Sequence, residues 1–266
     1  MGLSARLKDK VVLITGSTTG IGEAMARLFI SEGAQVVLHG LEADLGARLA
    51  AELGSATTFL QGDLADSMVP GRLVQAALRA FGKLDSLVNN AACTARAHLA
   101  DTDPAFFDRV IAVNLRAPLL LIREALPQLR QARGSVLNIG SVLAHCGQSN
   151  LLAYSVSKGG LMTLTRNLAD SLGPWGIRVN QLNVGWTLTR NEYAVKVADG
   201  LPANWPETLP VSAIPSGRLL APDDIARAAL YWVSDESRPI TGTVADCEQY
   251  PMIGRIPNQE GSNPKP

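Results

Sequence analysis

Short apolar runs that alternate with amphipathic helical patterns are the feature of this sequence that most restricts its fold. The β-branched run Val11 to Thr15 predicts a buried strand, and residues 21–31 then carry apolar side chains at helical spacing. The chain repeats this pair, with strands predicted over 36–39, 57–60, 84–89, 135–139, 178–182 and 242–246, and helices over 42–53, 67–81, 104–129, 153–172 and 222–233. Strands with little polar alternation indicate a parallel sheet that is covered on both faces. The sequence therefore predicts an α/β fold, a Rossmann-type doubly wound parallel sheet flanked by helices.

The chain length and texture predict one domain. A length of 266 residues is typical of a single α/β domain, and no internal repeat divides residues 1–266. Residues 187–221 are rich in Pro, Trp, Asn and Ser, which predicts a long loop with short helical pieces; loops of this length are commonly lids or binding loops. The tail, residues 250–266, holds four prolines and is predicted to be extended.

Charge and cysteine content exclude several classes of function. Lys plus Arg equals Asp plus Glu at 24 each, so no basic excess favours nucleic acid as a partner. The longest apolar run, around Pro118 to Ile122, is too short to span a membrane, and we expect a cytoplasmic protein without a leader. Cys93, Cys146 and Cys247 lack metal-binding spacing, so we expect reduced, mostly buried thiols and no metal site.

A glycine-rich segment joins the first strand to the first helix. It reads TGSTTGIG, with Gly16, Gly20 and Gly22 between strand and helix. Gly16 allows a sharp turn, Gly20 lets the backbone approach a pyrophosphate, and Gly22 lets the helix pack closely on the strand. The helix N-terminus offers free N–H groups and a partial positive charge to phosphates. This context predicts a dinucleotide site, although an ordinary strand-to-helix turn has the same outline.

The spacing TGxxxGxG resembles that of the short-chain dehydrogenase/reductase family, and the resemblance extends over about residues 8–247. Asp63 in GDLAD and the segment Leu87 to Ala92 (LVNNAA) match family positions on the adenosine side, with Ala92 in place of a glycine. The resemblance implies an NAD(P) cofactor. The cofactor-binding residues that follow are Gly16, Ser17, Thr18, Thr19, Gly20, Ile21, Gly22, His39, Gly40, Asp63, Leu64, Asn90, Ala91, Tyr154, Lys158, Gly185, Thr187 and Thr189.

Four polar residues carry the predicted chemistry. Ser141 ends the fifth strand, at the edge where open parallel sheets bind ligands, and Tyr154 opens the following helix thirteen residues later. Lys158 lies one helical turn beyond Tyr154 on the same helix face. Asn114 stands at a predicted break in the helix over residues 104–129, which restarts near Pro118. Asn114, Ser141, Tyr154 and Lys158 match the family's catalytic tetrad, which implies an oxidoreductase that interconverts a secondary alcohol and a ketone.

The tetrad has a chemical rationale. A free tyrosine has a pKa near ~10, and lowering it to ~7 takes roughly 4 kcal/mol of interaction. We expect the Lys158 ammonium and the oxidised nicotinamide to lower the pKa of Tyr154, because both favour the phenolate. Ser141 would orient the substrate oxygen. The resemblance assigns to Asn114 a water that relays protons from Lys158.

Two segments depart from the family pattern. Val184-Gly185 replaces the family's Pro-Gly pair, which predicts a loosened turn beside the nicotinamide pocket, while Thr187 and Thr189 keep their family positions. The segment DCEQYP, which begins at Asp246, replaces an Asp-Gly-Gly ending. We expect the tail that follows to close a pocket or to cross to a neighbouring subunit.

The choice between NAD and NADP depends on the end of the second strand. The usual NAD-binding acidic residue would fall at Gly40 and the usual NADP-binding arginine at Leu41, so both are absent. His39 is the one candidate cation for a 2′-phosphate, and Glu42 would repel that phosphate. The sequence favours NAD over NADP.

The substrate is less constrained. Trp186 and the 187–221 loop, together with Ser141, Tyr154 and His145, are predicted to line the substrate pocket, although His145 also suits a surface or packing role. Aromatic and polar neighbours favour a sugar, a polyol or another small hydroxy compound. A larger acyl or steroid-like carbonyl substrate and a non-catalytic nucleotide-binding regulatory role are the alternatives. The resemblance implies a homotetramer that pairs helices over residues 104–132 and 153–173.

Overall fold

The computed structural model describes residues 5–251, which form one seven-stranded sheet between two helical layers. Every neighbouring pair of strands is parallel, and the order across the sheet is β3-β2-β1-β4-β5-β6-β7. The strands are β1 (Val11–Ile14), β2 (Gln35–Gly40), β3 (Thr57–Gln61), β4 (Ser86–Asn89), β5 (Ser135–Ser141), β6 (Arg178–Val184) and β7 (Val244–Cys247).

Residues 5–251 form eight α-helices, most of which pack on the sheet. They are α1 (Gly20–Ser31), α2 (Ala43–Leu53), α3 (Val69–Phe81), α4 (Pro104–Ile111), α5 (Ala117–Ala132), α6 (Leu152–Leu172), α7 (Arg190–Ala198) and α8 (Pro222–Val233). The predicted Rossmann-type α/β sheet is confirmed, with most element bounds shifted by only one or two residues. Within the 187–221 segment the chain forms α7 and the short turn Trp205–Glu207, as the loop prediction anticipated.

Both faces of the sheet are buried, as the apolar strands predicted. Side chains in a strand point alternately to opposite faces, so Val11 and Leu13 of β1 join the core under α3 and α5. Val12 and Ile14 join the other core, which packs against α1 and α8. All four side chains are fully buried. This double burial is why the strand sequences show little polar alternation.

The predicted break near Asn114 is a π-helical turn. Ala112–Arg116 forms this turn between α4 and α5, and α5 restarts with Pro118 in its first turn, where proline is tolerated. An extra residue in the turn widens the helix locally, and such bulges are frequent at functional sites. Asn114 is buried there, where its side chain bonds to the segment after β4 and to α6.

The strand order places the predicted site. It reverses between β1 and β4, so their carboxyl ends flank a crevice of the kind in which doubly wound sheets bind ligands.

Among residues 5–251, no helix combines the length and apolar character needed to cross a bilayer. Cys93, Cys146 and Cys247 are free thiols, but the expectation of mostly buried cysteines is wrong, because Cys146 is exposed and the other two are partly exposed.

The C-terminal tail is only partly described. The predicted extended tail and its proposed closing or crossing role fall almost wholly on residues 252–266, which lie outside the described residues.

Candidate active site

The glycine segment between β1 and α1 forms a tight cradle. Gly16 and Gly20 adopt φ values of +62° and +57°, a left-handed backbone that side chains disfavour. A Cβ on Gly16 would lie 2.8 Å from the Ala91 Cα atom, and one on Gly22 would overlap the Gly16 carbonyl oxygen. Gly16 and Gly22 therefore occupy positions where a side chain has no room, and Gly20 has a backbone conformation that a side chain disfavours.

The cradle is braced from β4. Asn90 donates from its side-chain nitrogen to the carbonyl oxygens of Thr15 and Gly16, both at 2.9 Å. Thr15 Oγ1 accepts from the main-chain N–H groups of Asn90 and Ala91. Thr19, the N-cap residue of α1, makes no side-chain capping bond within the described part of the chain. First-turn N–H groups of α1 thus remain available to a phosphate, so the residues fit the dinucleotide that the sequence predicted.

His39 supports the glycine turn through hydrogen bonds of its ring and does not offer a positive charge to a phosphate. Its ring is buried: Nδ1 accepts from the Gly16 N–H at 3.1 Å, and Nε2 lies 3.0 Å from the Gly62 carbonyl oxygen. Burial lowers the pKa of His39 to about 4, so the ring is neutral at physiological pH. The possibility that His39 pairs with a 2′-phosphate is therefore wrong, although the residue does border the cofactor cavity.

This shifted pKa predicts an acid-sensitive fold. The unfolded pKa of 6.5 exceeds the folded value of about 4, so the unfolded chain binds a proton first and stability falls as the pH drops through this window. The loss attributable to His39 is up to about 3 kcal/mol, at ~1.36 kcal/mol per pKa unit. Urea unfolding at pH 7, 5 and 4 should show a shallower loss in His39→Asn than in the parent protein.

The matched control is His98→Asn, since His98 is exposed. An equal pH dependence in all three proteins would show that His39 does not control this loss.

A cavity of about 870 Å³ extends from the glycine cradle along the carboxyl ends of the strands. Twelve of the predicted cofactor residues line it: Gly16, Thr18, Thr19, Gly20, Ile21, His39, Gly40, Asp63, Leu64, Asn90, Ala91 and Thr189. Ser17 does not, because its hydroxyl is fully buried and donates to the Ile14 carbonyl oxygen at 2.9 Å. Ser17 is thus an internal tie of the turn.

The adenosine end of the cavity is bordered by ion pairs. Asp63 accepts from the Arg109 guanidinium at 2.6 Å, and this hydrogen bond lowers the pKa of the carboxyl. Arg27, a cation that sequence reasoning missed, also borders the cavity near Gly40. Its guanidinium already bridges the carboxylates of Glu23 at 2.8 Å and Glu52 at 2.6 Å. The charge that a 2′-phosphate would need is therefore engaged.

Tyr154 and Ser141 meet at the carboxyl edge of the sheet. Ser141 is the last residue of β5, Tyr154 lies in the first turn of α6, and both side chains line the same cavity. Burial raises the pKa of Tyr154, and the neighbouring Ser141 hydroxyl opposes that rise. The phenol is thus protonated at neutral pH, and the expected lowering of the pKa of Tyr154 is not found in the protein alone.

Lys158 lies beneath the tyrosine. Its Nζ donates to the Ile139 carbonyl oxygen at 2.7 Å and stands 5.6 Å from the centre of the Tyr154 ring. The side chain is only 2% exposed, and burial lowers the pKa of Lys158 to about 8. For both groups, burial therefore shifts the pKa more than the neighbouring group does. This explains why the ammonium of Lys158 does not lower the pKa of the phenol.

Asn114 ties three elements together. Its Oδ1 accepts from the Cys93 N–H at 2.7 Å, and its Nδ2 donates to the Cys93 carbonyl oxygen and to Ser157 Oγ, both at 3.0 Å. Both amide hydrogens are engaged. The side chain joins the π turn to the segment after β4 and to α6, and this tie fixes the helix that carries Tyr154 and Lys158.

His145 is not a wall of the substrate cavity. Its Nε2 lies 3.0 Å from Asp246 Oδ1 and 3.1 Å from Asn183 Nδ2, and the same Asp246 oxygen accepts from Asn183 at 2.9 Å. The prediction that His145 binds substrate is therefore wrong, and the packing role is the one observed. The cause is the neighbouring strand β7, whose Asp246 comes 101 residues later in the chain.

The turn after β6 is tied down, contrary to the prediction for Val184-Gly185. Gly185 N–H donates to the Cys247 carbonyl oxygen at 2.9 Å, and Trp186 N–H donates to a carboxylate oxygen of Glu248 at 3.0 Å. The missing proline does not loosen this turn.

A second cavity, of about 560 Å³, adjoins the first and contains the reactive groups. It is lined by Ser141, Tyr154 and Trp186, which were predicted at the substrate, and by Lys158, Gly185 and Thr187, which were predicted at the cofactor. Ile21, Asn90 and Thr189 border both cavities. Sequence reasoning missed its charged and polar lining, namely Arg96, Gln148, Glu192, Lys196 and Glu248. For Glu248 the signal was present, since it stands where the family has a glycine. Within residues 5–251 no cluster of His, Cys, Asp or Glu is arranged to hold a metal.

Comparison with known sequences gives a consistent picture. The family model described as Enoyl-(Acyl carrier protein) reductase matches residues 16–248. The L-fucose dehydrogenase of Mus musculus is 37% identical over 238 residues, which cover 88% of this chain and 86% of that protein. The trans-4-hydroxycyclohexanecarboxylate dehydrogenase of Sinomonas cyclohexanicum is 32% identical over 249 residues, covering 90% of this chain and 92% of that protein.

Comparison with solved structures agrees. The crystal structure of 3-ketoacyl-(acyl-carrier-protein) reductase from Brucella melitensis complexed with NADH superposes with a TM-score of 0.80. The sequences are 34% identical, and the match covers 90% of this chain and 97% of that one.

Proposed function

Because the chain belongs to the short-chain dehydrogenase/reductase family, we propose that Ser141, Tyr154 and Lys158 carry a nicotinamide-dependent interconversion of a secondary alcohol and a ketone. The observation that carries this proposal is their convergence in one cavity that adjoins the glycine cradle. A bound nicotinamide supplies or accepts the hydride, and the protein supplies orientation and proton transfer.

Each residue has a distinct task. Tyr154 is the group that gives a proton to the ketone oxygen, and its raised pKa keeps the phenol protonated for this step at neutral pH. In the reverse direction the phenolate takes the proton from the alcohol. Ser141, which lines the same cavity as the phenol, holds the substrate oxygen beside it. The buried Lys158 ammonium lies next to the tyrosine and stabilises the phenolate that proton donation leaves behind. Asn114 fixes the geometry of α6.

We propose NAD as the cofactor in preference to NADP. Near Gly40 the cavity presents Glu42, and the guanidinium of Arg27 is paired with two carboxylates. A 2′-phosphate would meet the Glu42 carboxylate there, beside an Arg27 that two acidic side chains already pair, whereas a ribose hydroxyl would meet no such repulsion.

We propose a small, polar hydroxy compound such as a sugar or polyol as the substrate. The reactive cavity has a volume of about 560 Å³ and includes Arg96, Glu192 and Lys196 beside Trp186. These side chains pair with one another and with Asp199, and their remaining polar surface suits a ligand with several hydroxyl groups better than a long apolar chain, because an apolar chain would displace their water without replacing its hydrogen bonds. The relatives named for L-fucose and for 4-hydroxycyclohexanecarboxylate support a cyclic hydroxy compound.

The test is a turnover screen in which the absorbance of the reduced nicotinamide is measured. Sugars and polyols form one arm, long-chain and steroid alcohols form the other, and each is offered with NAD and with NADP. We expect turnover with NAD in the first arm. Turnover confined to the second arm would overturn the substrate class, and a clear preference for NADP would overturn the cofactor assignment.

Assembly and compartment are part of the same proposal. Leu119 on α5 and Val156 on α6 are 43% and 51% exposed, an apolar surface that supports pairing of the long helices in a homotetramer. The three free thiols support a reducing compartment such as the cytoplasm.

A further inference from the structure

Two departures from the family pattern meet at one point of the structure. Val184 ends β6 and Cys247 ends the neighbouring β7, and the two residues are partners in the sheet register. The residues that follow them, Trp186 and Glu248, are joined by the hydrogen bond between the tryptophan N–H and Glu248 Oε2. This chain lacks the family's proline in the turn after β6. Directly opposite that turn it carries Glu248, an acidic residue at a position where the family has glycine.

The carboxylate of Glu248 fits this turn closely. Its Oε2 fills the space in which a Cβ on Gly185 would lie, and its Oε1 accepts from the Gln249 N–H at 2.7 Å. Within the described residues it has no ion-pair partner, so its charge is balanced by main-chain N–H groups. Hydrogen bonds to a charged acceptor are about twice as strong as neutral ones, which makes this a firm tie for a main-chain segment.

Trp186 is held at its other end too. Its indole Nε1 donates to Glu192 Oε1 at 2.9 Å, which links it to α7. The ring stacks on Trp205 with centroids 5.4 Å apart and planes inclined by 14°, and Trp205 is itself buried. The indole thus stands as a fixed wall of the cavity that contains Ser141 and Tyr154.

We propose that Glu248 is a positioning residue: it fixes the main chain at Trp186 and thereby sets how much space a substrate has beside Tyr154. This inference rests on the proposed function, since it concerns the substrate of that same site. Removal of the carboxylate frees the Trp186 N–H, leaves a hole beside Gly185 and lets the indole wall shift. The cavity then discriminates less well between short and long alcohols.

Hydrogen exchange of the Trp186 amide tests the tie without any need for turnover. In the full-length protein, Glu248→Ala should accelerate this exchange by at least about tenfold, the effect of losing one hydrogen bond to a charged group. Glu248→Gln keeps an oxygen acceptor and should stay close to the parent rate. Unchanged exchange in Glu248→Ala would overturn the proposal. If that variant does not fold, Glu248→Asp takes its place, because its shorter carboxylate reaches the amide less well.

Kinetics test the consequence. With the best substrate of the turnover screen, Glu248→Ala should raise KM by about tenfold and change kcat much less, because the wall orients the substrate and takes no part in proton transfer. The ratio of kcat/KM for sec-butanol to that for sec-octanol should also fall by about tenfold, because the variant has more space beside Tyr154. Glu248→Gln should restore both. Equal impairment of the Gln and Ala variants would overturn the positioning role.

Failure of the proposed function is distinguishable from failure of this inference. If no alcohol is turned over by the parent protein, the proposed function fails while hydrogen exchange still decides the tie. If exchange accelerates in Glu248→Ala but substrate preference does not move, the control of specificity by Glu248 is overturned.

Discussion

Replacing Tyr154 with Phe is expected to lower turnover by about 10²–10⁴-fold, the usual contribution of a positioned acid or base. The phenyl ring keeps its place in the first turn of α6, so the cavity and the glycine cradle should be preserved. What is lost is the hydroxyl that transfers the proton. Cofactor binding, measured by quenching of protein fluorescence, should remain close to that of the parent protein.

Both directions of the reaction should be affected, since the same oxygen gives the proton as a hydroxyl in reduction and takes it as a phenolate in oxidation. Tyr231→Phe is the matched control: it removes a hydroxyl from α8, where the ring packs edge-on against Trp232 at 5.0 Å and does not border either cavity. Retention of parent-level turnover by Tyr154→Phe would remove Tyr154 from the mechanism.

The elements of the fold were predictable because each carries a local signal. Val11, Leu13, Val12 and Ile14 are buried on alternate faces, and this produces the apolar run that predicted β1. The break at Asn114 was likewise predictable from the chain, and it is the π turn that aims this side chain at the loop after β4.

The sequence also predicted which residues form the site, but it did not predict their electrostatic environment. Sequence spacing predicted that Tyr154 and Lys158 lie on one face of α6, and they do. It also suggested that the ammonium acidifies the phenol, because a spacing argument counts the neighbouring charge and omits burial. Burial depends on every element packed around the pair, and it raises the pKa of Tyr154 and lowers that of Lys158.

Contacts between distant parts of the chain were the hardest to foresee. His145 follows Ser141 closely in sequence, so proximity suggested a role at the substrate, yet Asp246 on β7 holds its ring elsewhere. Glu248 shows the converse case, because its partner Trp186 lies 62 residues earlier. Neither pairing has a local pattern. The first depends on the order β5-β6-β7 in the sheet, and the second follows from the adjacency of β6 and β7.

Lys158→Met is expected to separate activity from stability. The ammonium is buried with one hydrogen bond, to Ile139, and its pKa falls from 10.5 to about 8. That shift corresponds to about 3 kcal/mol of penalty for the charged form, at ~1.36 kcal/mol per unit. Methionine fills similar space without charge, so the free energy of unfolding should rise by about 1–3 kcal/mol near pH 7 while turnover falls by at least about 10²-fold.

The pH dependence of this gain has a definite sign. Between pH 8 and 10.5 the unfolded parent chain holds the lysine proton more firmly than the folded one, so the parent protein becomes more stable as the pH rises through that window. The methionine variant has no such group. Its advantage should therefore be largest at pH 7 and smaller at pH 9.5 in urea unfolding, with Lys8→Met, on the exposed surface, as control. A constant advantage, or a variant less stable at both pH values, would show that burial of the Lys158 charge does not destabilise the folded protein. Lys158 would then support proton transfer without a cost in stability.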